Sequence, residues 1–346
     1  MLAAVLHGAT DLRVEERPEP ALAPGEVRVA VACGGICGSD LSYFRKGGVG
    51  DFRLREPLTL GHEIAGTVVG SAAGDWAPAV GTHVAVNPGR ACLHCAYCRA
   101  GRGNLCRDMR FLGSAARMPH VQGGFSTTLD VRPDQCVAIP DGLAFRVAAC
   151  AEPLAVALHA MRRAGPLLGR RVLVAGAGPI GLLCLAAARL AGADAVTVSD
   201  LAEMPLRVAH GMGAAAAVRV VDGDDALARE AAVAGGFEVA FEATGSAGAV
   251  ASLPALMRPG GRIVQLGMLP PGLAPVAVNL MMAREIDMVG SFRFCDEFAD
   301  AVAALAGGRI DVSPLLSARF PLAEAAAAFA MAGDRSRAIK VHLDIA

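Results

Sequence analysis

The run Arg171-Val172-Leu173-Val174-Ala175 passes without a break into Gly176-Ala177-Gly178-Pro179-Ile180-Gly181, and that into an Ala/Leu-rich stretch through Leu190. A short apolar run closed by glycine reads as a buried strand, and the stretch after it has the length and composition of a helix. Between such elements the G-x-G-x-x-G spacing has a mechanical meaning. The glycines permit a tight turn, let the backbone approach a pyrophosphate and allow the helix to pack closely on the strand, while the helix N-terminus offers free N–H groups to phosphate oxygens. Pro179 suits a first helical turn, where an N–H would have had no partner. Gly176, Gly178, Pro179, Ile180 and Gly181 are therefore candidate cofactor-binding positions. About 20 residues further on, a second strand, Ala195–Ser199, ends at Asp200, where a carboxylate can bond both hydroxyls of an adenine ribose. A 2′-phosphate would be repelled there, so NAD is expected in preference to NADP, with Arg207 nearby arguing the other way.

The texture around this unit changes near residue 150. Beyond Leu154, apolar strands at Arg171–Ala175, Ala195–Ser199, Val239–Phe241 and Ile263–Leu266 alternate with Ala/Leu-rich helices such as Ile180–Leu190. That alternation predicts a parallel sheet with helices on both faces. Residues 1–150 instead carry short β-type runs, Glu26–Ala32, Ala65–Val69 and Thr82–Val86, punctuated by Gly and Pro, which is barrel-like texture. Two cores are affordable in 346 residues of which 54% are hydrophobic. Asp296–Ala306 reads as a helix and Ala338–Leu343 as a strand, but periodicity alone assigns that tail to neither half. The alanine clusters at 214–217 and 325–328 read as filler inside helices or strands.

Charge narrows the partners. Lys and Arg number 32 and Asp and Glu 33, so no overall positive field points to nucleic acid and no polybasic run to a membrane surface; a small-molecule substrate is expected. Apolar stretches such as Leu182–Leu190 fall well short of the roughly 20 residues that span a bilayer. The segment Met1–His7 lacks the pattern of a secretory signal, so cytoplasmic residence is expected.

Four of the ten cysteines, Cys92, Cys95, Cys98 and Cys106, fall within fifteen residues, in a loop-like stretch rich in Arg and Gly. Four thiolates at this spacing can close a tetrahedral shell around Zn²⁺ with no open position, a structural site. An iron–sulfur cluster also uses cysteines at short spacings and stays an alternative; His94, inside the cluster, reads as solvent-facing. A catalytic zinc needs an open position, and its candidates lie elsewhere: Cys37 in Gly34–Asp40, and His62 and Glu63 in Gly61–Gly66. Cys37, His62 and one carboxylate would leave room for water or a substrate oxygen. Glu152, in Ala151-Glu152-Pro153, is a further carboxylate, able to bind zinc directly or through water. Singly, each has an ordinary explanation: a small buried cysteine, a hydrogen-bonded loop histidine, a charge at a helix start. Together with a dinucleotide unit they point to alcohol oxidation, because hydride transfer from an alcohol needs an electrophile to stabilise the alkoxide. Two other classes compete: a NAD-binding sensor without turnover, which would be expected to have lost a zinc ligand or a key hydroxyl, and a zinc-ribbon nucleic-acid binder, which leaves Gly176–Gly181 unexplained.

In order and approximate spacing, Ile36-Cys37-Gly38-Ser39-Asp40, Gly61-His62-Glu63, the four-cysteine lobe, Ala151-Glu152-Pro153 and Gly176–Gly181 resemble the zinc-containing medium-chain dehydrogenase family over essentially the whole chain, closest to its polyol branch. Met109–Ala115, Gly123-Gly124-Phe125, Gly290–Phe294 and Ala330–Lys340 look most like members of that branch that oxidise sugar acids. The resemblance implies an α/β chain: a GroES-like β-barrel catalytic domain (1–150, with a structural zinc lobe at 90–107), a Rossmann doubly wound parallel-sheet NAD domain (151–288), and a return to the catalytic domain (289–346). It implies catalytic zinc on Cys37, His62 and Glu63, with Glu152 near or in the shell and Asp40 behind the histidine. Ser39 would accept the substrate proton, and Tyr43 and Arg293 would border the active site. Thr244, Gly267, Phe292 and Arg293 join the cofactor positions. Two departures matter: Ser42 stands where many relatives carry a proton-relay histidine, and Pro205 near where some carry a ribose-contacting arginine. A carboxylate on the substrate calls for a cation, with Arg110, Arg117, His120 and Arg293 as candidates. A homotetramer or homodimer is the family expectation.

Overall fold

Val27, Val29 and Val31 are buried while Arg28, Ala30 and Ala32 between them are only partly so, the period of two that lets the strand Val27–Gly35 lay one face on a core. In the computed structural model, which describes residues 1–345, this strand is central to a seven-stranded sheet. Cys136–Ala138, His83–Val86, Glu63–Ser71, Val27–Gly35, Lys340–Asp344 and Leu316–Pro321 lie side by side in that order, and Thr128–Val131 also pairs with Val27–Gly35. Every pair is antiparallel except Leu316–Pro321 with Lys340–Asp344. A smaller sheet of Asp11–Glu16, Leu2–Gly8 and Leu58–Thr59 is tied on by Ala4 N–H to Phe125 O (2.8 Å) and Thr127 N–H to Leu2 O (2.9 Å).

The fully buried Phe125 ring marks the core beneath these sheets. Phe329, on the helix Ala325–Ala332, meets Phe44 and Phe125 edge-on at 5.4 and 6.3 Å. Edge-to-face rings at such separations are favourable beyond the area they bury. The C-terminal tail that periodicity left unassigned is thus part of the core built by the N-terminal strands.

By its contacts the chain divides into one unit of Met1–Glu152, Phe298–Asp334 and the stretch from Lys340 onward, and another of Pro153–Glu297 with Arg335–Ile339. The second unit holds a six-stranded, wholly parallel sheet in the order Ala216–Arg219, Ala195–Asp200, Arg171–Ala175, Phe237–Glu242, Met257–Gln265, Asp287–Gly290. Three of its four inner strands, Ala195–Asp200, Arg171–Ala175 and Phe237–Glu242, are buried almost end to end, as a sheet covered on both faces requires. The two outer strands, Ala216–Arg219 and Asp287–Gly290, were not legible as strands: they are four residues each and only partly buried, so no apolar run marks them. The sheet grows outward in both directions from Arg171–Ala175, which places a topological switch point between that strand and Phe237–Glu242.

Two boundaries differ from those expected. The chain leaves the second unit at Phe298 rather than 289, because Asp287–Gly290 completes the sheet and buried Glu297 accepts from Cys295 N–H (2.6 Å) and faces His159 Nδ1 at 2.9 Å. Arg335–Ile339 then rejoins the second unit for five residues, an excursion that no pattern in the sequence announces. Among the described residues no helix is long and apolar enough to cross a membrane.

Candidate active site

Strand register brings Cys37 to His62 and Glu63. Val27–Gly35 pairs with Glu63–Ser71 so that Gly35 stands opposite Glu63; the chain then turns through Ile36 and Cys37 into the helix Gly38–Lys46. Asp40, the third residue of the helix, reaches back to cap it: Oδ2 accepts the Cys37 N–H at 2.9 Å, and Oδ1 accepts Gly61 N–H at 3.4 Å and lies 3.6 Å from His62 Nδ1. One buried carboxylate therefore ties together the two segments that carry Cys37 and His62. Glycine is required at two points here. A Cβ on Gly35 would come 2.1 Å from Glu63 Oε2, and Gly61, at φ +98°, would drive one into the Phe125 ring at 2.3 Å. Ligand atoms of Cys37, His62 and Glu63 all fall within 4.8 Å of one another.

The sequence reading missed one member of this site. Lys340 is 1% exposed, and its Nζ donates to both Glu63 oxygens at 2.7 and 2.6 Å and to Ile36 O at 3.1 Å. Burial opposes its charge, but the Glu63 carboxylate and the Cys37 sulfur outweigh burial and hold its pKa above the ordinary lysine value. The available signal was a lone charge inside the apolar strand Ala338–Leu343. Glu152 is buried next to this group but lies outside the 4.8 Å cluster. Burial first, then Glu63 and Asp40, push its carboxyl up to about 7 against the pull of His62 and Lys340. Burial likewise pushes Asp40 up despite His62 and its N–H donors.

Three buried carboxyl groups thus crowd around one imidazole and one ammonium, an imbalance that a divalent cation would relieve. The donor set of one thiolate, one imidazole and one carboxylate suits zinc with a fourth position left open. Lys340 does not exclude a metal from Glu63, since each carboxylate oxygen carries two lone pairs.

Other predicted residues fare differently. Ser39 is half-buried in the first helical turn beside Cys37. Tyr43 is buried with its hydroxyl accepting Ala115 N–H at 2.9 Å, so it pins the 110s loop. The Ser42 hydroxyl donates to Gly48 O at 2.7 Å. Of the four cations considered for a substrate carboxylate, two are committed elsewhere. His120 accepts Arg55 N–H on Nε2 at 3.0 Å, which makes Nδ1 the donor to Arg117 O at 2.8 Å, so both ring nitrogens already have partners. Arg117 itself bonds the backbone carbonyls of Met109 and Arg107 and faces Asp108 at 3.6 Å. Arg110 lines a cavity of about 470 Å³ in the first unit with Arg17, Arg90 and His120.

The four cysteines converge as a separate group, again with ligand atoms within 4.8 Å. The short helix Ala96–Arg99 and the turn Gly103–Leu105 hold the loop, with Sγ to Sγ separations of 3.5 Å (Cys95, Cys98) and 3.9 Å (Cys92, Cys98). Backbone N–H groups point at sulfur: Cys92 N to Cys106 Sγ at 3.2 Å, Asp108 N to the same sulfur at 3.3 Å, and Cys95 N to Cys92 Sγ at 3.4 Å. Such donors, from Cys98 and Arg107, bring Cys95 down to about 6, whereas burial and neighbouring sulfurs push Cys98 up to about 12. Among the described residues, which include all ten cysteines, there is no disulfide.

In the second unit Gly176 sits at φ +100° between its strand and the helix Pro179–Leu190, and a Cβ on Gly181 would lie 1.7 Å from Gly176 O. Ala177 N–H donates to Asp200 Oδ2 at 2.7 Å, which joins the glycine loop to the end of the second strand. Thr244 and Gly267 meet at a residue the sequence reading passed over. Glu242, fully buried at the end of its strand, accepts from the Thr244 N–H (2.7 Å) and hydroxyl, Gly245 N–H (3.1 Å) and Gln265 Nε2 (2.6 Å). A Cβ on Gly267 would come 2.4 Å from its Oε2. Arg293 adopts φ +53°, uncommon for a residue with a side chain, and stacks over Phe292 at 4.9 Å.

Residues 23–141 match the family described as alcohol dehydrogenase GroES-like domain, and residues 179–307 that described as zinc-binding dehydrogenase. The chain is 41% identical over 315 residues to the L-idonate 5-dehydrogenase (NAD(P)(+)) of Escherichia coli, an alignment covering 91% of this chain and 90% of that protein. It is 36% identical over 345 residues to a sorbitol dehydrogenase of Gallus gallus, covering 99% and 96%. The solved structure of L-idonate 5-dehydrogenase from Escherichia coli superposes with a TM-score of 0.93 at 38% identity, over 99% of this chain and 98% of that one.

Proposed function

The chain belongs to the zinc-binding alcohol dehydrogenase family, and from that premise we propose that it oxidises a secondary hydroxyl of a sugar acid to a ketone, converting L-idonate to 5-keto-D-gluconate with NAD. The observation that carries this is the convergence of Cys37, His62 and Glu63 in a chain that also holds an intact glycine loop. A sorbitol- or xylitol-type polyol is the neighbouring substrate class.

Zinc on Cys37, His62 and Glu63 supplies the Lewis acidity that lowers the pKa of a substrate hydroxyl, and the dinucleotide supplies the hydride acceptor. Asp40 fixes the histidine: with Nδ1 facing Asp40 Oδ1, Nε2 is the nitrogen left to serve as donor. Lys340 and the space left by Gly35 hold the Glu63 carboxylate in place. Ser39, next to Cys37 but one, takes the proton from the substrate hydroxyl. Ser42 is off that route because its own hydroxyl is bound to Gly48 O. Arg110 or Arg293 answers the substrate carboxylate. The second group of cysteines holds a structural zinc.

NAD⁺ reduction should be fastest with L-idonate among idonate, sorbitol, xylitol and threonine, and removal of the catalytic metal should lower kcat/KM by about 1000-fold, the several kcal/mol that electrophilic stabilisation of a developing alkoxide contributes. Preference for a neutral polyol would overturn the sugar-acid assignment, and full activity after chelation would overturn the metal role.

A homo-oligomer, dimer or tetramer, accords with the outer strand Asp287–Gly290. It leaves a sheet edge beside the exposed apolar side chains of Val278, Met282 and Met288, and such an edge calls for cover. Light scattering should read a multiple of 35.2 kDa; a monomer at micromolar concentration contradicts it. Ten free cysteines fit a reducing compartment, the cytoplasm, and recovery from the membrane or culture-medium fraction would count against that.

A further inference from the structure

Asp200, the carboxylate expected to take the ribose hydroxyls, is covered. Its side chain is 2% exposed because Arg335, arriving from the far end of the chain, lays Nη2 2.5 Å from Oδ2. Ala177 N–H reaches the same oxygen at 2.7 Å and Ala202 N–H reaches Oδ1 at 2.9 Å, so both oxygens have partners before any ribose arrives. Two more guanidinium groups stand near. Arg219 is directly opposite Asp200 in the adjoining parallel strand and donates to Leu201 O at 3.2 Å. Arg207 lies on the helix Glu203–Gly211, 4.0 Å from Glu203. Arg335 therefore lies on Asp200 and Arg219 beside it, so the strand end that was expected to repel a phosphate also presents two guanidinium groups.

We propose that Arg335 is the residue that decides at this site between NAD and its 2′-phosphorylated form. The inference rests on the dinucleotide reading above. A guanidinium carries five N–H donors in a fork that matches two phosphate oxygens. The Arg335 side chain is 53% exposed, so donors not spent on Asp200 can meet a ligand. With NADP, Arg335 stays close to Asp200, offsets its charge and binds the 2′-phosphate, with Arg219 adding to the field. With NAD, the ribose hydroxyls must displace Arg335 to reach the carboxylate. The same side chain favours one coenzyme and competes with the other, so its removal should move the two affinities in opposite directions.

Fluorescence titration of the full-length protein with NADPH and with NADH tests this in equilibrium binding, without turnover. Wild type is expected to bind both. Arg335→Met should weaken NADPH by about tenfold or more, as loss of a charge-assisted phosphate contact does, while NADH binds as tightly as before or more tightly, which also shows the variant is folded. Arg335→Lys should fall between. Adenosine 2′-monophosphate should displace NADPH from wild type and lose that ability in Arg335→Met. Unchanged NADPH affinity in Arg335→Met, or equal weakening of both coenzymes, overturns the role of Arg335 and leaves the dinucleotide reading standing. Failure of wild type to bind NADH overturns both.

Discussion

Cys37→Ser is expected to leave a folded protein whose kcat/KM has dropped by at least about 1000-fold, since the loss of one zinc donor removes an electrophile whose contribution to alkoxide stabilisation is several kcal/mol. Serine fits the space and its hydroxyl can replace the sulfur in the contact with His62, while Asp40 still caps the helix through the residue-37 N–H and the register of Gly35 with Glu63 is untouched. What is lost is a soft anionic donor, because an alcohol is not ionised at neutral pH. Cys95→Ser should behave in the opposite way. Its loop has one short helix, one turn and the two-residue ribbon Gly89–Arg90 with Arg110–Phe111 to hold it, so a broken shell costs the lobe its order. Bound zinc per chain, thermal unfolding and kcat/KM, measured on both variants, separate the two roles. Equal loss of folded protein in both would contradict the division between a catalytic and a structural metal.

Lys340→Met is expected to destabilise the metal-free protein by about 3 to 5 kcal/mol, the range for removing one partner of a buried ion pair. The cause is the group left behind: Glu63 is completely buried, and its carboxylate would lose both of its bonds to the ammonium, with the His62 imidazole and the Cys37 sulfur as its remaining neighbours in the cluster. Glu63→Gln with Lys340→Met removes both charges and should recover much of that loss. Zinc saturation should also shrink it, because a divalent cation can answer the same carboxylate. Urea unfolding of the single and double variants, stripped and zinc-loaded, gives the comparison. A loss below about 1 kcal/mol in Lys340→Met, or a double variant no more stable than the single, would show that the ion pair does not hold this corner.

These two variants also divide what could be read along the chain from what could not. The glycine loop, Asp200 at the end of the next strand and the cysteine quartet are legible in sequence because each acts within a turn or a single β-α-β unit. Residue spacing alone then sets the geometry, as the N–H to sulfur bonds within 92–108 show. Cys37 and His62 were recognisable as motifs, but their meeting is decided by a strand register, and a shift of one residue would turn His62 away. Lys340 on Glu63 joins residues 277 apart, and Arg335 on Asp200 residues 135 apart. No periodicity encodes such pairs, since apolar patterning says which face of a strand is buried and not which charge will lie against it. The sequence by itself settled that the chain carries a dinucleotide-binding parallel sheet, a β-rich companion unit and two groups of metal donors. Tertiary structure alone decided which cation lies against Glu63 and which against Asp200, because those choices arise only when segments distant along the chain are brought together.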